Sequence, residues 1–123
     1  MPGPPPNVLI IDDDALHLNL YKWMLEKQGY RALKALVGST AVPLPKEEHI
    51  DLVLMDYRLN STLTARDVAA TVKETFPGAP VVVLSELAWP PDDIRGFATG
   101  FVSKGEPEQL MATIAELLGA RRS

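Results

Sequence analysis

Five reactive side chains stand directly after four short apolar runs of the sequence. The runs VLII, LVLM, VVVL and FVS end immediately before Asp12 and Asp13, Asp56, Ser85 and Lys104, respectively. Two like charges about 4 Å apart repel by roughly 4 kcal/mol at an effective dielectric constant of about 20, so gathered carboxylates need a cation beside them, or one of them must stay protonated. Hard oxygen ligands favour Mg²⁺, while Lys104 and Ser85 suit phosphoryl oxygens. The pattern predicts a magnesium site at which one carboxylate attacks phosphorus.

The apolar runs alternate with helix-length segments, and this order is typical of an α/β, doubly wound parallel sheet with crossover helices. The carboxyl ends of such strands share one edge of the sheet, where ligands bind. Side chains that follow different strands can therefore meet there. The predicted strands are Val8–Ile11, Arg31–Leu36, Leu52–Met55, Val81–Leu84 and Phe101–Ser103.

Three helices are expected. The first follows Asp14, a suitable N-cap, and ends before Gly29, which suits a left-handed C-cap. The second spans about Ala65 to Thr75 and carries an apolar side, and the third starts near Pro107. In the first helix, the spacing places Leu16, Leu20, Trp23, Met24 and Lys27 along one side.

Prolines interrupt the other two crossovers. Pro43 and Pro45 lie between the second and third strands, so any helix there is predicted to be short or broken. Pro90 and Pro91 leave room for about two helical turns before the fifth strand.

Composition restricts the class of protein. The chain has 123 residues, which suits one domain, and residues 1–6 form a Pro-rich lead-in without the features of a signal peptide. The net charge of −4 argues against a nucleic-acid or anionic-membrane partner. There is no cysteine and no apolar run of the roughly 20 residues that cross a bilayer, so a cytoplasmic location is expected. His17 and His49 are isolated in the sequence, and neither is assigned to a metal.

The four motifs in order, "VLIIDDD", "DLVLMDYRL", "VVVLSE" and "GFVSK", resemble the receiver domain of two-component response regulators. The reactive positions are separated by 43, 29 and 19 residues, and the resemblance runs from about Asn7 to Leu118. It implies a flavodoxin-like receiver fold with strand order 2-1-3-4-5 over residues 7–123. It further implies a signalling phosphoacceptor that is not an enzyme beyond its own phosphorylation and dephosphorylation.

The resemblance also implies a role for each acidic residue. Asp56 would be the phosphoacceptor. Asp13 would bind Mg²⁺ together with Asp56 and the backbone carbonyl of Arg58, and Asp12 would act through a metal-bound water.

The remaining motif residues would respond to phosphorylation. Ser85 would bind the phosphoryl group, Lys104 would pair with it, and Phe101 matches the aromatic residue that rotates inward on activation. The implied donor is a histidine kinase or a phosphotransfer protein, and a downstream protein partner would recognise the switched state.

Three features depart from the family pattern. The segment after Asp56, "YRLNSTLTARDVA", lacks the usual proline and glycine, and Arg58 lies beside the path of a hydrolytic water. Gly105 replaces the proline that normally follows the lysine. The segment after the fourth strand is broken by Pro90 and Pro91. In receivers this region commonly carries dimerisation or partner contacts, so at most a weak homodimer is expected.

Two alternatives remain open. One is a phosphorylation-independent pseudo-receiver that serves as an interaction module, suggested by the altered segments after Asp56 and Lys104. The other is a Mg²⁺-dependent aspartyl phosphohydrolase, which ranks last because Arg58 occupies the position at which such enzymes place a second aspartate.

Overall fold

The computed structural model describes residues 4–38, 41–59, 63–87 and 90–122. Five strands and three helices follow one another along these ranges. They are β1 (Asn7–Asp12), α1 (Ala15–Lys27), β2 (Arg31–Leu36), β3 (Leu52–Asp56), α2 (Ala65–Thr75), β4 (Val81–Ser85), β5 (Gly100–Ser103) and α3 (Pro107–Arg122).

The strands form one parallel sheet in the order β2-β1-β3-β4-β5, which confirms the predicted fold. Every residue of β3 and β4 is buried, as expected for strands covered on both faces by crossover helices. In the edge strand β2, only Ala32 and Ala35 are buried, and Arg31, Lys34 and Leu36 are exposed. The continuous apolar runs therefore placed the central strands correctly.

Two apolar layers flank the sheet, and the helices divide between them. The α1/α3 face is the sheet surface covered by Leu18 and Leu25 of α1 and by Leu110, Ile114 and Leu118 of α3. The α2 face is the opposite surface, covered by Ala65, Val68, Ala69 and Val72 of α2. Successive residues of a strand point to opposite faces, so each strand contributes to both layers.

Local hydrogen bonds and backbone conformation define both ends of α1 and the start of α2. The Asp14 carboxylate accepts a hydrogen bond from the Leu16 N–H and so caps α1, as predicted. Gly29 follows α1 with a φ of +92°, the left-handed conformation expected there. Thr64 and Asp67 form a reciprocal capping box at the start of α2.

The side of α1 that carries Leu16, Leu20 and Trp23 is not the side that packs against the sheet. Leu16, Leu20 and Trp23 are 77%, 51% and 58% exposed, whereas Leu18 and Leu25 enter the core. Leucine occurs at every second position at the start of this helix, so the sequence offers two apolar stripes, and packing against the sheet selects the one that contains Leu18. The other stripe is left at the surface.

The two proline-containing crossovers differ from ordinary helical ones. Between β2 and β3 the described residues 37–38 and 41–51 form no helix, in agreement with the prediction. The two helical turns expected after Pro91 are also absent from the described residues, which form hydrogen-bonded turns around Ile94 instead. Ile94 is fully buried on the α2 face and anchors this segment without a helix. Across the described ranges, no helix is both long and apolar enough to span a bilayer.

Candidate functional site

Strand alternation brings three of the predicted site residues to one end of the α1/α3 face. Asp12, Asp56 and Lys104 each lie two residues beyond a core residue of that face on β1, β3 and β5. Since side chains repeat every second residue, all three point to the same side at the carboxyl edge of the sheet. The parallel order, with β1 and β4 on either side of β3, places Asp56 near the middle of this edge.

Asp56 is only 4% exposed and both of its carboxylate oxygens have partners. Its Oδ2 accepts a hydrogen bond from Lys104 Nζ at 2.9 Å, and its Oδ1 accepts one from the Arg58 backbone N–H at 3.1 Å. The Lys104 backbone N–H donates to the Ser85 carbonyl, which continues the β4–β5 ladder and fixes where the lysine leaves the sheet.

The charges around Lys104 keep its ammonium protonated. Burial lowers the pKa of Lys104, but the hydrogen bond to Asp56 and the charges of Asp56 and Asp12 raise it more, so the net pKa lies above its ordinary value. The ammonium is therefore a permanent cation at neutral pH.

Asp12 is an unfavourably placed carboxylate. It is 2% exposed, and burial, the charge of Asp56 and a hydrogen bond with the Asp13 carboxyl raise its pKa from 3.8 to about 6. The Asp14 backbone N–H, which donates to Asp12 Oδ1 at 3.0 Å, and the nearby His17 reduce this shift. With a pKa of about 6, Asp12 is mostly ionised at neutral pH.

A cavity of about 340 Å³ opens above these residues. Asp13, Asp56 and Lys104 line it together, so the cavity is formed at the carboxyl ends of β1, β3 and β5. Its lining residues are Asp13, Asp14, Ala15, His17, Asp56, Arg58 and Lys104.

Sequence reasoning missed His17. Its Nδ1 lies 3.4 Å from Asp12 Oδ2, and its Nε2 lies 3.7 Å from Asp14 Oδ2. One potential ligand atom from each of Asp12, His17 and Asp56 falls within 4.8 Å of the others. The signal was present, because a histidine three residues after the N-cap aspartate returns to the same side of the first helical turn.

Ser85 and Phe101 are not brought into this cavity. Ser85 is the last residue of β4 and is buried, and its Oγ accepts a hydrogen bond from the Leu87 N–H at 3.0 Å. Phe101 is partly buried and packs on the α2 face. Strand alternation thus directs both side chains toward the α2 face, and their responses to phosphorylation stay predictions.

Gly105 has a φ of +88°. Proline fixes φ near −65°, so the residue that the family pattern would place here does not fit this backbone. The lysine is instead positioned by the hydrogen bond from its backbone N–H to the Ser85 carbonyl of β4 and by its side-chain contact with Asp56. In the segment after Asp56, residues 60–62 lie outside the described ranges.

A sequence model of the response regulator receiver domain matches residues 8–115. The chain belongs to this family. It is therefore a receiver domain of two-component systems, as the motifs indicated.

The chain is similar to curated proteins of very different lengths, of which it covers between 9% and 96%. The chain is 36% identical over 80 residues to the autoinducer 1 sensor kinase/phosphatase LuxN of Vibrio campbellii, covering 65% of this chain and 9% of LuxN. It is 30% identical over 95 residues to the transcriptional regulatory protein YvrH of Bacillus subtilis, covering 76% of this chain and 39% of YvrH. It is 29% identical over 119 residues to the polar-differentiation response regulator DivK of Brucella ovis, covering 92% of this chain and 96% of DivK.

Solved receiver structures share the fold. A CheY-like response regulator receiver domain from Methanospirillum hungatei superposes with a TM-score of 0.82 at 22% identity, covering 96% of this chain and 97% of that one. The response regulator TrrA from Thermotoga maritima, in complex with Mg²⁺–BeF, gives 0.74 at 21% identity over 91% and 98% of the two chains.

Family membership supports a phosphoacceptor role. Receiver domains are signalling domains, generally not enzymes, and the family interacts with histidine kinases and downstream effectors.

Proposed function

We propose that this receiver accepts a phosphoryl group on Asp56 from a phosphohistidine of a histidine kinase or phosphotransfer protein, in a Mg²⁺-dependent reaction. The observation that carries the proposal is the placement of Asp56. It lies at the tip of a central strand beside an open cavity, with the Lys104 ammonium 2.9 Å from one of its oxygens. A nucleophile for phosphorus needs such a cation close to the oxygens that acquire charge in the transition state.

The donor set fits Mg²⁺. When ionised, Asp12, Asp13 and Asp56 carry a charge of −3, and Lys104 contributes +1, so the cluster sums to −2. Carboxylate oxygens with water access are the ligands that Mg²⁺ takes in proteins. Asp13, Asp56 and the Arg58 carbonyl would hold the ion, and Asp12 would act through a bound water. When bound, the ion supplies positive charge that offsets the carboxylate repulsion.

The transfer itself requires little from the protein beyond positioning. An Asp56 oxygen attacks phosphorus, the phosphorus–nitrogen bond to the donor imidazole breaks, and the imidazole leaves as the neutral base after taking up a proton. Lys104, released from its carboxylate partner, then pairs with a phosphoryl oxygen, and Ser85 donates a hydrogen bond to another. The movement of Ser85 shifts the population of conformations that Phe101 and the surface after β4 sample, and a partner reads this change.

The deciding experiment uses a small phosphodonor. The full chain is incubated with acetyl phosphate and Mg²⁺, and the intact mass is measured. We expect the mass of one phosphoryl group to be added to the wild-type chain and not to Asp56→Asn. Asp51→Asn is the matched control, because Asp51 lies at the opposite end of β3.

The outcomes separate the alternatives. An unchanged mass under conditions that phosphorylate another receiver would refute the proposal and favour the pseudo-receiver module. Steady release of phosphate from a phosphate ester, abolished by Asp56→Asn, would favour the phosphohydrolase.

The exposed stripe of α1 indicates where the phosphohistidine protein docks. Leu16, Leu20 and Trp23 are exposed, and Leu16 stands between Ala15 and His17, which both line the cavity. A donor that delivers its imidazole to Asp56 must cover this rim. We therefore assign the stripe to the donor protein, whose apolar contacts would bury it.

This docking surface can be tested apart from the chemistry. We expect Leu20→Glu to slow phosphotransfer from a phosphorylated donor protein at least about tenfold, while phosphorylation by acetyl phosphate is unchanged. Leu36→Glu is the control, because Leu36 is 47% exposed at the end of the edge strand β2. Equal rates for Leu20→Glu and Leu36→Glu with the donor protein would contradict the assignment.

A further inference from the structure

His17 places an imidazole at the acidic cavity, where the proposed Mg²⁺ site needs only oxygen. The side chain is 46% exposed, and it leans over the buried Asp12 from the first turn of α1. Its two nitrogens lie 3.4 and 3.7 Å from carboxylate oxygens of Asp12 and Asp14. Both separations exceed the usual 2.7–3.2 Å of an N–H···O hydrogen bond, so neither of these two carboxylates holds the imidazole by a short bond.

The spacing suits two ligands of one metal ion. Ligand atoms about 2.1 Å from a metal lie roughly 3.0 Å apart at octahedral right angles and roughly 3.4 Å apart at tetrahedral corners. His17 Nδ1 and Asp12 Oδ2 are 3.4 Å apart. Together with an Asp56 oxygen they form a group of potential ligand atoms that all lie within 4.8 Å of one another.

A nitrogen ligand changes which metal the cavity prefers. Imidazole binds late first-row divalent ions far better than Mg²⁺, and affinities rise from Mn²⁺ through Co²⁺ and Ni²⁺ along that series. Three protein ligands with a position open to water also match the common arrangement of accessible Zn²⁺ sites.

We propose that Asp12, His17 and Asp56 form a site for a late first-row divalent cation such as Co²⁺, Ni²⁺ or Zn²⁺, which binds in competition with Mg²⁺. The inference rests on the proposed function only in using the same carboxylates. Because Asp56 is also a ligand in the proposed Mg²⁺ site, the two ions cannot bind at the same time.

The simpler reading is that His17 is only an ion-pair partner of Asp12 and Asp14. In that case its loss would change electrostatics around every cation in the cavity and would not discriminate between metals. Selectivity is therefore the property to measure.

Co²⁺ is the probe, because its visible absorption reports nitrogen ligation directly. Co²⁺ and Mg²⁺ affinities are measured by calorimetry on the untagged full chain, as wild type and as His17→Gln. The matched control is His49→Gln, because the sequence contains two histidines and His49 lies beside Asp51, away from the cavity. We expect His17→Gln to bind Co²⁺ at least about tenfold more weakly with an altered spectrum, and Mg²⁺ within about twofold of wild type.

Each result bears on one conclusion. Equal Co²⁺ binding by wild type and His17→Gln, or equal losses for both metals, would overturn the imidazole ligand while leaving Mg²⁺ binding and Asp56 phosphorylation intact. Failure of the wild type to bind Mg²⁺, combined with His17-dependent Co²⁺ binding, would instead overturn the proposed magnesium chemistry and support the imidazole site. An effect of His49→Gln equal to that of His17→Gln would assign the binding elsewhere and also refute the inference.

Discussion

Asp12 is a buried carboxylate whose proton the folded state holds more tightly than the unfolded chain does. Its pKa is raised from 3.8 to about 6 by burial and by the charge of Asp56. A shift of about 2 pH units corresponds to roughly 3 kcal/mol. Since the folded pKa is the higher one, this group contributes most to stability at low pH, and the contribution is lost as the pH rises from about 4 to above 6.

Replacement of Asp12 by asparagine removes this penalty and keeps the local geometry. The amide oxygen can still accept the Asp14 N–H that now reaches Asp12 Oδ1 at 3.0 Å. In metal-free buffer at about pH 8 we expect Asp12→Asn to be more stable than wild type by about 1 to 3 kcal/mol. The difference between the two proteins should shrink toward about pH 4, where the wild-type carboxyl is protonated as well.

Urea unfolding followed by circular dichroism across this pH range measures the effect. Asp14→Asn is the control, since it removes a neighbouring charge, keeps an acceptor for the α1 cap and alters a side chain that is 44% exposed. We expect the control to stay within about 0.5 kcal/mol of wild type at every pH. A constant difference between Asp12→Asn and wild type from about pH 4 to about pH 8 would refute the electrostatic reasoning.

Two further predictions concern Lys104 and the glycine after it. Lys104→Met leaves Asp56 buried without its cation, so urea unfolding should show a loss of stability of about 2 kcal/mol. The double variant Asp56→Asn/Lys104→Met should largely recover this loss. If it does not, the aliphatic stem of the lysine, and not the ion pair, supplies the stability. Gly105→Ala should lower stability by about 1 kcal/mol, because its φ is +88° although nothing lies within 4 Å of an added Cβ. Gly96→Ala is the control and should be neutral, because there too an added Cβ meets nothing within 4 Å. Equal thermal unfolding of the two variants would contradict the strain argument.

The sequence determined the order and nature of the main elements. Continuous apolar runs require burial on both faces, and this property identified β3 and β4 as central strands with the correct fold. Asp14 was predicted to cap α1 because its side chain can accept a backbone N–H, and Gly29 was predicted to follow α1 because glycine tolerates a left-handed backbone. Both features are observed. The meeting of Asp12, Asp56 and Lys104 also followed from sequence, because parallel strands share one carboxyl edge.

Tertiary structure decided the features that depend on rotation and distance. The rotation of α1, which buries Leu18 and exposes Leu16 and Trp23, follows from packing against the sheet, since the leucines alone permit two stripes. The position of His17 over Asp12 follows from that same rotation. A one-dimensional pattern states which side chains are apolar or charged, but a helix can turn about its axis at little local cost, and only contact with the sheet fixes the angle.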